Sequence, residues 1–408
     1  MQLPLNLILL LVLSLTVLNI DNYIIFYSLL ILIFFYKSLV PIIKITKTPT
    51  ALYFLIFAPI CLISIPELFF YKEISNEIWI NDNFQRHSIQ FIYLLPLLLL
   101  PTMIQNSKFN EEYLFFTISI VCIIDIIFNI YLVFELKNDR SILNSNILWP
   151  IILYDYIVIA LSILLFSYSI QRSERKFKLI TFISIINIFI ICLHGSKGAW
   201  LGIPICFLTL IILNKSRTKK IIIYLALLFL LIFSSTFLPN SQVLKRIDYL
   251  KIQTAEVLNN NPNNSVGVRL ELWKHAIADS KKNSLIGNGF QKTYQNICEL
   301  KKNEVINICQ IHVHNVYLQF LYAYGLLGFI ISILLFLVPI LFYYKNRKVN
   351  SNIAFSGIAF CLYLSICSLT DYSFFYTPLT ITYFLINTFL ISFIIRDRSK
   401  LTYKNDFL

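Results

Sequence analysis

Long apolar runs recur from one end of this chain to the other, and they constrain its fold more than any other feature. A run of about 20 apolar residues spans a bilayer as a helix, because hydrocarbon leaves the backbone no hydrogen-bond partner except itself. Taken as helices, the runs number about twelve. They cover 3–20, 22–40, 50–70, 89–105, 113–134, 149–170, 179–194, 199–214, 221–238, 322–344, 352–370 and 376–395. Of the 408 residues 58% are hydrophobic and only 13% charged, whereas a soluble domain carries about 25% charged residues. The expected fold is an all-α polytopic membrane protein with one large external loop. The first run lacks both a basic leader and a small-residue cleavage site, so it reads as a retained span.

The net charge of +13 has to be read by location, because basic residues on a membrane protein mostly set its orientation. With both ends on the cytoplasmic side, that side receives Lys37, Lys44, Lys47, Lys108, Arg172, Arg175, Lys176, Lys178 and Lys215. It also receives Arg217, Lys219, Lys220, Lys345, Arg347, Lys348, Arg396, Arg398, Lys400 and Lys404. The opposite short loops hold Lys72, Arg86, Lys137, Arg140 and Lys197. Orientation thus accounts for the charge, and no nucleic-acid partner is implied. The chain divides into spans 1–9 (1–238), an external loop with amphipathic helices (239–321), and spans 10–12 with a cytoplasmic tail (322–408).

The loop from Pro239 to Val313 is the one long polar stretch. Within it, Val266, Leu270, Trp273 and Ile277 recur at helical spacing, an amphipathic helical stripe. Asn264 or Ser265 is placed to cap its start. An earlier amphipathic piece at 241–258 is suited to lie on the membrane surface. The segment from His314 to Tyr324 is expected to begin a helix that enters the bilayer, with Gly325 and Gly328 marking the next span.

Several constellations carry possible chemistry. The turn from His194 to Leu201 has Gly195 and Gly198 to expose backbone N–H groups, with Ser196 and the charge of Lys197, a combination that suits a phosphate. The same residues also make a plain turn with a snorkelling lysine and an interfacial Trp200. Arg269 offers a permanently charged bidentate fork for phosphate oxygens, or else a solvated helix face. His312 and His314 are spaced as metal ligands, but no Cys, Asp or Glu near them in sequence completes a set. A neutral histidine there can instead take a proton from a sugar hydroxyl. Cys298 and Cys309 share the external loop and are candidates for a disulfide; the other cysteines sit in spans as packing residues. Asp125 and Asp155 lie inside predicted spans, where acids are costly and are functional candidates by default, although either can pair with Tyr or Asn on a neighbouring helix. Asp371 and Tyr372, near the last outer turn, are placed to face the loop.

The order of these elements is more informative than any one of them. Ser196-Lys-Gly-Ala-Trp-Leu201 is followed by Arg269-x3-Trp273, then Gly287-Asn-Gly289-Phe290, then His314-Asn315 and, nine residues on, Gly325-x-x-Gly328. This series resembles the O-antigen ligase and polymerase family, in motif over roughly 190–330 and in layout over the whole chain. The resemblance implies a GT-C-like membrane glycosyltransferase of the bacterial inner membrane, with a periplasmic active site and cytoplasmic termini. Such an enzyme moves a glycan from undecaprenyl diphosphate, in ligases onto a sugar of the lipid A core, and needs no cofactor. By position, His314 is the implied general base and Arg269 the implied diphosphate ligand. Lys197, with Ser196, stands at a second donor contact where the family usually has Arg. His312, Asn315, Trp273, Gly325 and Gly328 are implied supporting residues. Ser284 replaces a common Pro, and Phe329 a frequent small hydroxyl residue.

The chemistry agrees with the resemblance. A diphosphate is already a good leaving group, so positioned cations and a base suffice, and the external loops hold no Asp-x-Asp, which points to a metal-independent reaction. Three alternatives remain: an O-antigen polymerase, a protein O-oligosaccharyltransferase, and a glycolipid transporter, the last predicting inverted repeats and charged, broken helices at the midplane.

Overall fold

The computed structural model describes residues 104, 110–135, 151–237, 241–259, 263–282 and 285–405. The predicted spans 3–20, 22–40 and 50–70, and all of 89–105 except residue 104, lie outside the described residues.

Among the described residues every regular element is helical. The order is α1 (Glu111–Glu135), α2 (Ile151–Ser169), α3 (Arg175–Cys192), α4 (Lys197–Leu213), α5 (Thr218–Ser235), α6 (Gln242–Leu258), α7 (Ser265–Ser280), α8 (Phe290–Lys302), α9 (Val316–Lys345), α10 (Ser351–Cys367) and α11 (Thr377–Asn405). Each predicted span from 113–134 onward corresponds to one of these helices, with ends shifted by at most six residues except in α11, which runs ten residues past 395 to Asn405. Five are long and apolar enough to cross a membrane, and α4 and α10 are shorter apolar helices.

A helix that is apolar all round has to be enclosed, and α2 is: nearly every residue from Ile151 to Ser169 is buried. It packs on α3 and α10, with α1 and α4 beside them. By contrast α5 leaves Ile222, Ile223, Phe229, Leu230 and Phe233 exposed, the lipid-facing surface expected of a peripheral span. The two ends of the bundle differ in chemistry. At one end Arg172 bonds Glu111 (2.5 Å) and Glu112 (2.7 Å), while Asn350 donates to Glu111 and to Asp397. At the other end sit the turn between α3 and α4, the turn between α10 and α11, and the folded loop.

That loop has its own small core. Val268, Leu272 and Ala276 of α7 pack on Ile297 and Leu300 of α8 and on Val313 and Tyr322. The apolar stripe seen in the sequence lies beside this core rather than within it: Leu270 and Ile277 are exposed, and Val266 and Trp273 half-buried. The buried face of α7 carries Gly267, Val268, Leu272 and Ala276. Asn264 caps α7, its Oδ1 accepting from the N–H groups of Val266 and Gly267 at 3.0 Å. The amphipathic piece foreseen at 241–258 is α6, capped by Ser241. A disulfide joins Cys298 at the end of α8 to Cys309 in the following loop, with Cα atoms 4.7 Å apart.

The helix entering the bilayer begins at Val316, and its first two turns run on into the span beyond, so α9 is one helix with a kink. The kink falls at Tyr324 and Gly325, where Gly325 has φ +63°. There the two glycine motifs interlock. Gly289 N–H donates to Ala323 O at 2.7 Å, and Leu327 N–H to Leu285 O at 3.4 Å. A Cβ at Gly325 would lie 2.5 Å from the Leu285 carbonyl. Gly287, itself at φ +79°, faces the Gly325 backbone from the other side. Two glycines are needed because two backbones cross without room for side chains.

Candidate active site

His314 sits one residue before the cap of α9, in the left-handed region at φ +53°. Non-glycine residues seldom occupy this region, and the strain of about 1–3 kcal/mol persists only where surrounding contacts hold it. Those contacts are specific. Asn315 caps α9 by accepting from Leu318 N–H at 3.0 Å, and its Nδ2 donates to Leu369 O at 3.0 Å. Val316 N–H donates to Ser368 O at 2.8 Å. Together they fasten the start of α9 to the turn after α10. From the other side, Trp273 Nε1 donates to Val313 O at 2.8 Å, and Gln319 Oε1 accepts from Val313 N–H at 2.9 Å. Between these anchors the backbone has no freedom to relax.

The turn after α10 brings Asp371 to His314, with Oδ1 3.1 Å from Nδ1. Oδ1 also accepts from the Tyr372 N–H at 2.8 Å. Burial on its own would raise the Asp371 carboxyl. The hydrogen bond from His314, and the charges of His314, His312 and Arg269, outweigh it and hold the group well below the usual carboxylate range. An ionised Asp371 accepts only, so it selects the tautomer with the proton on Nδ1 and leaves the lone pair on Nε2. That nitrogen lies 3.3 Å from the end of the Gln310 side-chain amide, whose NH2 group, turned toward it, donates to the lone pair. His312 stands against the His314 ring at 4.5 Å between centroids and against Tyr372 at 5.5 Å.

His312, His314 and Asp371 together form a three-ligand set whose candidate donor atoms all lie within 4.8 Å of one another. Spacing along the sequence offers no carboxylate to complete the histidine pair. Folding supplies Asp371 from beyond a whole transmembrane hairpin.

The second half of the site is the turn before α4. Asp155, fully buried in α2, accepts from Ser196 Oγ and lies 2.7 Å from His194 Nδ1. A buried carboxylate needs such partners, and here they fix the turn that carries Lys197. Ser196, expected at the donor, is buried with its hydroxyl turned to Asp155. Lys197 Nζ donates to Gln253 Oε1 of α6 at 3.0 Å. Gly198 packs against the Tyr156 hydroxyl and Thr370, whose oxygens are 3.3 Å apart. Thr370 neighbours Asp371 in the chain, so the two halves meet there. Arg269, half-buried on α7, has no hydrogen-bond or ion-pair partner among the described residues, yet its charge acts on both Asp371 and Tyr156. Asp125 pairs with the Tyr154 hydroxyl, and the Tyr154 ring lies 6.3 Å from that of His194.

The structure therefore brings Lys197, Arg269, His312 and His314 to one end of the bundle, and it uses Trp273, Asn315, Gly325 and Gly328 as supports. Gly328 is packed against the Phe320 carbonyl and the Tyr324 side chain. Sequence reasoning missed Gln310, Gln253 and Arg246. It also missed a polar cavity of about 320 Å³ lined by His275, Asp279, Asn296, Glu299, Asn303 and Tyr322, among others. Asp279 lies about 15 Å beyond Arg269 along α7, at about 1.5 Å per residue. Burial there would raise its carboxyl, but hydrogen bonds from Lys282 and Tyr322 bring it below its ordinary value.

This arrangement can accept a proton at Nε2 of His314, and Lys197 stands at the positive end of α4. An uncharacterized protein of Haemophilus influenzae is 28% identical to the chain over 205 residues, which cover 47% of this chain and 51% of that protein. The chain thus spans about half the length of that curated relative. Residues 180–333 match the family model described as O-antigen ligase, a range that holds Lys197, Arg269, His314 and both glycine motifs. Residues 180–333 are thus similar to an O-antigen ligase family domain, in a chain with five helices long and apolar enough to cross a membrane among its described residues.

Proposed function

We propose that the chain is an O-antigen ligase, transferring a glycan from undecaprenyl diphosphate to a lipid A-core sugar at the periplasmic face of the bacterial inner membrane. The observation that supports the reading is the His314–Asp371 pair, whose carboxyl feels the charge of Arg269. In this reaction the bond between the anomeric carbon and the diphosphate oxygen breaks, and a bond to the acceptor oxygen forms. The acceptor hydroxyl enters at His314 Nε2, displacing Gln310, and gives its proton to that nitrogen. Asp371 holds the ring in the reactive tautomer and stabilises the imidazolium that results, as a carboxylate does for a general-base histidine. The lipid diphosphate leaves with its charge, which Arg269 and Lys197 neutralise. Ser196 serves by holding the turn through Asp155, and Trp273 by holding Val313.

The test is complementation of a ligase-deficient Gram-negative strain of matching core type, read on lipopolysaccharide gels. Restored long-chain lipopolysaccharide is the expected result. Lipid-linked chains that grow longer without reaching the core would assign the same chemistry to an O-antigen polymerase. Neither outcome would leave protein glycosylation or transport as the better reading.

A further inference from the structure

Around the start of α4 stands a third cation that neither the motif series nor the proposed roles include. Arg246 and Gln253 are seven residues apart on α6, two helical turns along the same side. Both face the turn from Gly195 to Lys197. Gln253 holds the Lys197 ammonium, while Arg246 lies over Gly195 so closely that a Cβ there would come within 2.7 Å of Arg246 Cγ. Arg246 is half-buried, and burial lowers its pKa because no carboxylate offsets the loss of water. Among the described residues it has no hydrogen-bond or ion-pair partner. A guanidinium withdrawn from water without a counter-charge costs free energy that a bound anion would return. The same helix leaves Leu244, Ile247 and Ile252 exposed, the apolar surface of a helix lying at a membrane interface. An anion carried on a lipid arrives at that depth.

We propose that Arg246 is a third ligand of the lipid-linked diphosphate and supplies the bidentate fork that Lys197 cannot. This deepens the ligase reading and rests on it. An ammonium is a point charge, whereas a guanidinium grips two phosphate oxygens at once.

The experiment measures donor KM and kcat in nanodiscs for wild type, R246A, R246K and the double variant K197R/R246A, together with competition by inorganic pyrophosphate. R246A is expected to raise donor KM about tenfold or more and to weaken pyrophosphate inhibition in parallel, leaving acceptor KM unchanged, with R246K intermediate. K197R is expected to restore donor KM in the R246A background, which it would not do if Arg246 only supported the fold. A donor KM within about twofold of wild type in R246A, or no recovery in the double variant, overturns the proposal. Should the wild type transfer no glycan, the ligase reading falls, but direct binding of pyrophosphate still decides the role of Arg246. Tighter binding by wild type than by R246A upholds it, and equal binding overturns it.

Discussion

Asp371 touches Nδ1 of His314 at 3.1 Å, although 57 residues separate them in the chain. The carboxylate decides which ring nitrogen carries a proton, and so which one is available as a base. Asp371→Asn keeps the shape but can donate to Nδ1 and favour the other tautomer. Transfer is expected to fall by on the order of 10²–10⁴ in kcat with little change in donor KM. Steady-state kinetics of the purified variant would check this, and unaltered kcat would remove Asp371 from the mechanism.

The depressed carboxyl also sets a pH dependence. Because the folded state holds Asp371 below its ordinary value, the unfolded chain takes up that proton first as pH falls. Its contribution to stability is fully present above about pH 4 and is lost as pH falls on toward the folded-state value. Thermal unfolding of wild type and Asp371→Asn should therefore converge only in that acid range. A difference that instead disappeared between about pH 5 and 7 would contradict the assignment.

Trp273→Phe keeps the ring and removes the hydrogen bond to Val313 O. The expected cost is about 1 kcal/mol of stability in the loop, with kcat falling several-fold because His314 is no longer held from the α7 side. Hydrogen exchange across residues 305–315 should rise. Unchanged protection there would show that Gln319 alone suffices as an anchor.

Much of this was legible in the sequence, and the reasons for the gaps are specific. Spans were readable because apolar length is a local property, and the Asn264 cap and the Cys298–Cys309 candidates lie within short stretches of chain. The buried face of α7 was not readable: Val268, Leu272 and Ala276 compete with an apolar stripe beside them, and the choice depends on α8 and α9, which pack on α7 from elsewhere in the chain. Asp371 was noted near the outer turn, but its union with His314 depends on how α10 returns the chain. Arg246 gave no signal at all, since an arginine on an amphipathic helix looks like any solvated charge. The glycine motifs were visible as spacing, while the crossing of two backbones at Gly287 and Gly325 belongs to tertiary structure.

Gly325→Ala tests that crossing. The added Cβ meets the Leu285 carbonyl at 2.5 Å and sits at positive φ. Neither backbone can give way, so a loss of more than about 2 kcal/mol, or failure to accumulate in the membrane, is expected. Normal yield and melting temperature would mean that the kink relaxes freely.

His312, His314 and Asp371 lie close enough to be drawn onto one ion. Zn²⁺ added in excess should therefore inhibit transfer reversibly by occupying the nitrogen that serves as base, with chelator restoring activity. His312→Ala is expected to weaken that inhibition by about tenfold or more. Inhibition that His312→Ala left untouched would place the ion elsewhere.

The most direct test of the central claim is turnover by His314→Ala, reconstituted with an undecaprenyl diphosphate-linked glycan and a lipid A-core acceptor. The account predicts that kcat falls at least about 10²-fold, while the donor still binds through Lys197 and Arg269 with nearly its original affinity. Transfer retained at close to the wild-type rate would show that His314 is not the base, and the proposed chemistry would have to be abandoned.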